Sequence, residues 1–92
     1  MDEQYKVPSV TIHVAVWEPT KFYKDLLLKA HKEAISFDKA IFSASKRQVD
    51  IMLHPYDLTD KMSDLIGVVA RFHGGEVTMT REEAELDGES KG

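Results

Sequence analysis

Apolar and polar residues alternate with a period of two from Ser9 to Trp17, which is the clearest strand pattern in the chain. One face of this strand is apolar and consists of Val10, Ile12, Val14 and Val16. The opposite face is mixed and consists of Thr11, His13, Ala15 and Trp17. Such a face is too polar for a strand buried on both sides and too aromatic for a plain solvated one. We therefore expect one face to belong to the core and the other to carry the function.

A helix is predicted to begin at Pro19, because proline suits the first helical turn and Glu18 favours the positive end of the helix dipole. Its apolar positions recur every three or four residues and are Phe22, Tyr23, Leu26, Leu27, Ala30 and Ala34. This helix should cover one face of a sheet. The segment 35–44, rich in Ile, Phe and Ser, predicts a second strand, whose facing stays open because Ile41 and Phe42 are adjacent.

A third strand follows the polar connection 43–47, which is long enough for a hairpin. In this strand, too, apolar positions alternate with polar or mixed ones. The apolar face is Val49, Ile51 and Leu53, and the other face is Gln48, Asp50, Met52 and His54. Pro55 should end the strand, because proline cannot donate a ladder hydrogen bond.

A second amphipathic helix is predicted next, with Asp57 or Thr59 as its cap. Its apolar positions are Leu58, Met62, Leu65, Ile66, Val69 and Phe72. Gly74-Gly75 should stop this helix, because glycine most easily adopts the left-handed conformation of a helix C-terminus. A short last strand should follow, with Val77 and Met79 on its inner face.

The order strand, helix, strand, strand, helix, strand is the split β-α-β arrangement of the ferredoxin-like fold. We therefore predict an α+β protein with a four-stranded, antiparallel-rich sheet and two helices on one face. Right-handed crossovers are expected to place the first and third strands side by side and parallel in the centre. Residues 1–80 should form this single domain, and the acidic, aperiodic residues 81–92 should form a disordered tail.

Composition narrows the classes of function. The 92 residues contain no cysteine, which excludes disulfides, thiolate metal sites and a cysteine nucleophile. A net charge of -4 argues against a general nucleic-acid-binding protein. Without a long apolar run or the apolar core of a signal peptide, the chain is expected to be cytoplasmic and to have no membrane partner. A domain this small gains stability by burying apolar surface in an oligomer, which favours a homodimer.

The face of the sheet without helices is the predicted functional surface, and Phe42, Thr78 and Thr80 should join it from the second and last strands. An apolar patch flanked by polar residues on such a surface usually marks contact with another protein. The predicted interface residues are Trp17, Phe42 and Met52 as anchors and His13 and His54 at the margin. The alternative for Trp17 is that it folds over the edge of the core beneath the first helix. The favoured function is a non-catalytic interaction module that dimerises or docks on a larger partner.

A small-ligand or metal-binding domain is one alternative function. His13 and His54 are predicted on one face of neighbouring strands together with Asp50, and two imidazoles with a carboxylate can ligate a transition metal. Their spacing forms no recognised ligand motif, so no cofactor is predicted. The sequence also lacks a recognisable pairing of a nucleophile with its base, so the protein is not expected to be an enzyme.

An accessory subunit of an RNA-processing or tRNA-modifying assembly is the other alternative. In this hypothesis Lys39, Lys46 and Arg47 contact a phosphate backbone. RNA-binding sheets of this topology stack bases on aromatic residues of their central strands, and the third strand offers none. Nucleic-acid binding is therefore possible but not favoured.

The layout of the chain resembles one known family. Val49-Asp-Ile-Met-Leu53 followed by Asp57-Leu-Thr-Asp-Lys-Met-Ser-Asp-Leu65 is similar to the small dimer-forming subunit of the KEOPS tRNA-modifying complex. That family carries a Leu-Arg pair in its second helix, where this chain has Lys61-Met62. It also ends in that helix, whereas this chain adds Gly74-Gly75 and a further strand. The resemblance implies dimerisation and a place in a tRNA-modifying assembly.

Overall fold

The computed structural model describes residues 9–82, which form an α+β, ferredoxin-like fold. Its elements are β1 (Ser9–Ala15), α1 (Pro19–Lys32), β2 (Ile41–Ser45), β3 (Gln48–Leu53), α2 (Asp60–Phe72) and β4 (Glu76–Glu82). This order confirms the predicted succession of strands and helices. The second strand is shorter than predicted, since residues 35–40 form a loop, and the hairpin that follows it turns over Lys46 and Arg47 alone.

The four strands form one sheet in the order β2-β3-β1-β4, and every neighbouring pair is antiparallel. The predicted parallel pairing of the first and third strands is therefore wrong. Each helical connection does join two parallel strands, β1 with β2 and β3 with β4, but these strands are not neighbours. The tight hairpin places β3 between β1 and β2, so β3 runs antiparallel to both.

The hydrophobic core lies between the sheet and the two helices, which pack on the same side of it. On β1 the side chains of Val10, Ile12 and Val14 are buried, as is Val16 just beyond the strand. The other core residues on strands and helices are Phe22, Leu26, Ala30, Val49, Ile51, Leu53, Met62, Leu65, Ile66, Val69 and Ala70. These positions confirm the apolar faces predicted for the first and third strands.

Phe42 lies on the helix side of the sheet, not on the face predicted for it. Its Cα partner in β3 is the buried Ile51, and residues that pair in this way share a face. Its ring lies 4.8 Å from the ring of Tyr23 and 6.0 Å from that of Phe37, centroid to centroid. The adjacent Ile41 points the other way. The sequence pattern allowed either Ile41 or Phe42 to turn toward the helices. Packing beneath α1 selects Phe42.

The ends of the helices follow from single residues. Helix α1 begins at Pro19 as predicted. Of the two candidate caps for α2, Thr59 is the one used, since its Oγ1 accepts a hydrogen bond of 3.2 Å from the backbone N–H of Met62. Asp57 instead ends a short 3-10 turn before the helix. Ala34, predicted on the apolar face of the first helix, lies beyond its end with a positive φ of 57°.

Gly74 and Gly75 end α2, and each is required for a different reason. Gly74 has a φ of 72°, in the left-handed region that favours glycine. Gly75 is packed so closely that a Cβ would collide with the carbonyl oxygen of Ala15 and lie 2.5 Å from Cγ1 of Val16. The turn therefore holds the start of β4 against the end of β1.

Strand β4 is an edge strand whose Val77 and Met79 face the helix side, since they pair with Val14 and Ile12. They are only half-buried, at 38% and 45% exposure, because no strand lies beyond them within residues 9–82. The strand includes residues 81 and 82 of the predicted tail, and the rest of that tail lies outside the described residues. Neither described helix is long and apolar enough to cross a membrane.

Candidate interaction surface

The open face is our name for the side of the sheet that the helices leave uncovered. Alternation and strand pairing place these residues on it: Ser9, Thr11, His13, Ala15, Ile41, Ser43, Ser45, Gln48, Asp50, Met52, Glu76, Thr78 and Thr80. Most of these side chains are short. Asp50 and Glu76 are the charged members, Glu82 pairs with Ser9 at the end of β4, and this set includes no lysine or arginine. The open face is thus rich in short and hydroxyl-bearing side chains and weakly acidic.

A hydrogen-bonded network crosses the middle of the open face and joins three strands. His13 on β1 lies between Asp50 on β3, at 2.9 Å from Nδ1 to Oδ1, and Thr80 on β4, at 3.0 Å from Nε2 to Oγ1. Gln48 donates to the same Asp50 oxygen from its Nε2 at 2.8 Å. The network fixes the imidazole in one orientation at the centre of the surface.

Hydrogen bonds also set the charge state of this network. The amide of Gln48, and after it the imidazole of His13, hold the pKa of the Asp50 carboxyl below its usual value. An ionised carboxylate only accepts hydrogen bonds, so His13 donates from Nδ1. In a neutral imidazole, Nε2 is then free to accept the hydroxyl proton of Thr80. The central polar group of the open face therefore carries its negative charge on Asp50.

The succession Asp50, His13, Thr80 is the order of groups in a nucleophilic triad, carboxylate to imidazole to hydroxyl. Acyl transfer also needs donors aimed at the developing oxyanion. Here the backbone N–H groups of the central β1 are engaged in ladders with β3 and β4 on either side. Four clefts in the described part of the chain are lined by other residues. The network therefore has the order of a triad, and none of these four clefts is lined by its His13, Asp50 or Thr80.

Ile41 and Met52 form the apolar part of the open face at one end of the sheet. They are direct cross-strand partners, and they are 64% and 39% exposed. His54 lies at the same end, just beyond β3, where its Nδ1 accepts the backbone N–H of Tyr56 at 3.0 Å. The tyrosine ring packs beside it, with the ring centroids 5.0 Å apart. Met52 and His54 thus lie at the same end of the sheet.

Trp17 lies at the opposite end of the sheet, beyond the last residue of β1. The β2–β3 hairpin reaches it, since the backbone N–H of Val16 donates to the carbonyl of Arg47 at 3.0 Å. The guanidinium of Arg47 covers one face of the indole, and 67% of Trp17 stays exposed. About six residues of extended strand, roughly 20 Å, separate this end from Met52. Trp17 therefore does not share a continuous apolar patch with Met52.

The residues predicted for a metal site, and those predicted for a contact with RNA, lie apart from one another. His13 lies opposite Asp50, and His54 follows four residues later, so the imidazoles stand about 13 Å apart along the sheet. Within residues 9–82, no three His, Asp or Glu side chains form a group able to hold a metal ion. Lys39 precedes β2, whereas the Lys46-Arg47 turn follows it, so these cations lie at opposite ends of that strand.

The sequence did not reveal the roles of Gln48 and Thr80 as partners in the central network. Alternation alone places both on the open face. Their meeting with Asp50 and His13 depends on the strand register, which pairs His13 with Asp50 on one side and with Thr78 on the other. In comparisons of the whole sequence, no family model matches the chain and no curated protein is significantly similar to it.

Proposed function

We propose that this protein is a non-catalytic interaction module that docks on a larger protein partner through its open face. The observation that carries the proposal is the scarcity of charge on this face. Lys, Arg, Asp and Glu make up 30% of the chain, yet the open-face set contains only Asp50 and Glu76, with Glu82 opposite Ser9 at the end of β4. The surfaces of soluble proteins normally carry many long charged side chains, whereas the centres of protein interfaces are depleted of them.

The chemistry of the open face also favours one kind of partner. Its charged groups are acidic, so an RNA backbone would meet repulsion where it needs lysine and arginine. Two copies stacked face to face would likewise bring two acidic surfaces together. A partner protein with a flat apolar surface and a basic rim fits better. The module would thus act in the cytoplasm as one subunit of a larger protein assembly.

Ile41 and Met52 are the anchors of this proposal, because they are the large apolar side chains of the open face. Phe42, named as an anchor from sequence, points to the helix side and is replaced by Ile41. His13 and His54 flank the anchors, and Trp17 supplies a separate contact at the far end. Anchors of this kind account for most of the binding energy of an interface, while the polar surroundings keep water away from them.

Single-cysteine crosslinking tests the proposal directly, because the natural chain contains no cysteine. A photoactivatable crosslinker on Ser43→Cys, at the open face, should capture a partner that the same label on Lys61→Cys, on exposed α2, does not. Once that partner is purified, Ile41→Asp and Met52→Asp should each weaken its binding at least tenfold. The matched control Leu28→Asp replaces an equally exposed apolar residue of α1 and should bind normally.

Four outcomes would contradict this function. Capture by the α2 label but not by the open-face label would place the interface elsewhere. Equal weakening by Leu28→Asp and Ile41→Asp would show a general effect of charge. Hydrolysis of an activated ester that requires both His13 and Thr80 would make the central network catalytic. Salt-sensitive binding of tRNA that requires Lys46 and Arg47 would favour the RNA-assembly alternative.

A further inference from the structure

The outer edge of β4 is long and lacks the usual devices that protect an edge strand. Its pairing with β1 runs through seven consecutive residue pairs without a bulge. The strand contains no proline or lysine, and its charged residues lie only at its ends. Natural edge strands are normally blocked by such residues or by a bulge, because their free N–H and C=O groups pair with other strands. Among residues 9–82, no segment covers the outer backbone of β4, which is thus open to a further strand.

Gly67 in α2 has no explanation within the described chain. Glycine inside a helix is unfavourable relative to alanine. A Cβ at this position would meet Nη1 of Arg71 at 3.9 Å, which is ordinary contact, so packing inside the chain does not require a glycine. A glycine on a helix surface otherwise allows the close approach of another backbone.

Gly67 lies on the flank of α2 that is turned toward the β4 edge. Phe72 marks the opposite flank, since Nζ of Lys29 on α1 lies 5.6 Å from the centre of its ring. Gly67 is five residues away from Phe72, which is about 140° around a helix of 3.6 residues per turn. The glycine and the free strand edge are therefore presented on the same side of the molecule.

We infer that two copies of this chain pair antiparallel along β4, about a two-fold axis that passes beside Thr78. This pairing involves a surface other than the open face and is independent of the proposed function. Val77 of one copy then lies opposite Met79 of the other on the helix side, and Thr78 lies opposite its own equivalent on the open face. Both half-exposed apolar residues of β4 become cross-strand partners.

The side chains favour the register centred on Thr78 over the register centred on Met79. The faces of the two sheets stay aligned only if residues of the same alternation pair with each other. Centring the axis on Met79 would satisfy that condition but would place Arg81 opposite Val77. Centring it on Thr78 keeps Arg81 out of the strand pairing and matches Val77 with Met79.

The position of Gly67 agrees with the same axis and is independent of the side-chain pairing on β4. Gly67 precedes the end of α2 by five residues, about 7.5 Å of helix. Thr78 follows the start of β4 by two residues, about 7 Å of strand. The two residues are thus level along the sheet, and the α2 helices of the two copies approach each other at their glycines. A helix above the gap between β1 and β4 would lie roughly 10 Å from its counterpart, a normal helix packing distance.

The paired molecule is an eight-stranded sheet with four helices on one side. Its two open faces join into one continuous surface of double width, with an Asp50 network in each half. Dimerisation and partner binding then use separate surfaces, so each can be removed without the other.

Thr78→Cys provides a geometric test in the otherwise cysteine-free chain. Directly opposed strand residues lie at the Cα separation that a disulfide needs, so mild oxidation should convert this variant to a covalent dimer. Ser43→Cys, on the same face but far from the axis, should stay uncoupled. Failure of Thr78→Cys to crosslink, or equal crosslinking of both variants, would overturn the register.

Sedimentation over a range of concentrations tests the dimer itself. The natural chain should be dimeric, Met79→Lys should weaken self-association at least tenfold, and the matched control Val68→Lys on the other flank of α2 should not. Gly67→Ala should raise the unfolding temperature of the isolated monomer and weaken the dimer, a combination that a purely structural glycine would not give. A monomeric natural chain, or a dimer insensitive to Met79→Lys, would overturn the inference. Neither result bears on partner binding, which is measured with Ile41→Asp.

Discussion

The guanidinium carbon of Arg47 lies 4.2 Å from the centre of the Trp17 ring. This contact joins the two-residue turn of the hairpin to the segment that leaves β1. It also explains how the only tryptophan of the chain can stand largely exposed at the end of a strand without packing into the core. One indole face is covered by a cation, while most of the residue stays exposed.

Arg47→Ala should therefore expose Trp17 further and shift its fluorescence emission to longer wavelength. An exposed cation–π contact contributes about 0.5 to 1 kcal/mol, so the free energy of unfolding should fall by that order. Urea unfolding followed by tryptophan fluorescence measures both effects. Lys46→Ala removes the neighbouring charge of the same turn and should leave the emission unchanged. An identical shift in both variants would mean that the stacking contact does not shield the indole.

Acid should weaken the contact between α1 and α2 through Asp25. The ammonium of Lys29 at 2.9 Å, and then the imidazole of His73 at 3.0 Å, hold the pKa of Asp25 below its ordinary value of 3.8. A lowered pKa in the folded state gives stability that is present above the ordinary value and is lost as the pH falls through the lowered one. Asp25→Asn should cost about 1 kcal/mol at neutral pH, the usual size of such a hydrogen bond.

The difference between the natural chain and Asp25→Asn should shrink as the pH falls below the ordinary carboxyl value. Urea unfolding at neutral pH and at several acidic pH values measures it. Asp38→Asn, in the exposed loop before β2, is the control and should change stability little at any pH. If the difference in the free energy of unfolding between Asp25→Asn and the natural chain stayed constant across this range, Asp25 would not contribute to the acid sensitivity of the protein.

Gly75→Ala should be more damaging than Gly74→Ala, although both replace a glycine in the same turn. The new Cβ at 75 would collide with backbone and side chain of the β1 end, and such overpacking costs about 1 to 3 kcal/mol or more. At 74 no atom obstructs the Cβ, and the cost is the left-handed backbone, roughly 1 to 2 kcal/mol. Thermal unfolding of the two variants should rank them in that order. Gly74→Asn should be milder than Gly74→Ala, because asparagine tolerates this conformation.

Thr59→Ala should destabilise the protein by about 1 kcal/mol, because it leaves the Met62 N–H at the start of α2 without its partner. Asp57→Ala should cost clearly less, since Asp57 does not cap the helix. Chemical denaturation of both variants decides between the two caps that the sequence allowed. Equal losses would show that the acidic residue also stabilises the helix start, through its charge.

Much of this fold could be predicted from the sequence, because alternation and helical spacing record which side chains are buried. Val10, Ile12 and Val14 are an example, since each step of two residues returns to the same face. Phe42 could not be placed in this way. Ile41 and Phe42 are equally apolar, and only the aromatic contact with Tyr23 beneath α1 decides which one turns inward.

The candidate site was harder to predict than the core. His13 was correctly placed on the mixed face, but its partners come from β3 and β4, and their positions depend on strand direction and register. The wrong parallel pairing of the first and third strands concealed the alignment of His13 with Asp50. Trp17 was grouped with Met52 because both follow the same alternation, whereas distance along the strand separates them.

The pairing of β1 with β4 makes the order of synthesis important. Ala15 pairs with Glu76, so about sixty residues must be made before the central strand acquires its second neighbour. Until then β1 is itself an edge, with one side unpaired and the network around His13 lacking its threonine. Closing so long a loop favours slow, late completion of the sheet compared with a helical bundle of similar length. During synthesis on the ribosome, β4 is the last described strand to emerge. Its pairing would therefore cover the exposed edge of β1, which could otherwise pair with other chains.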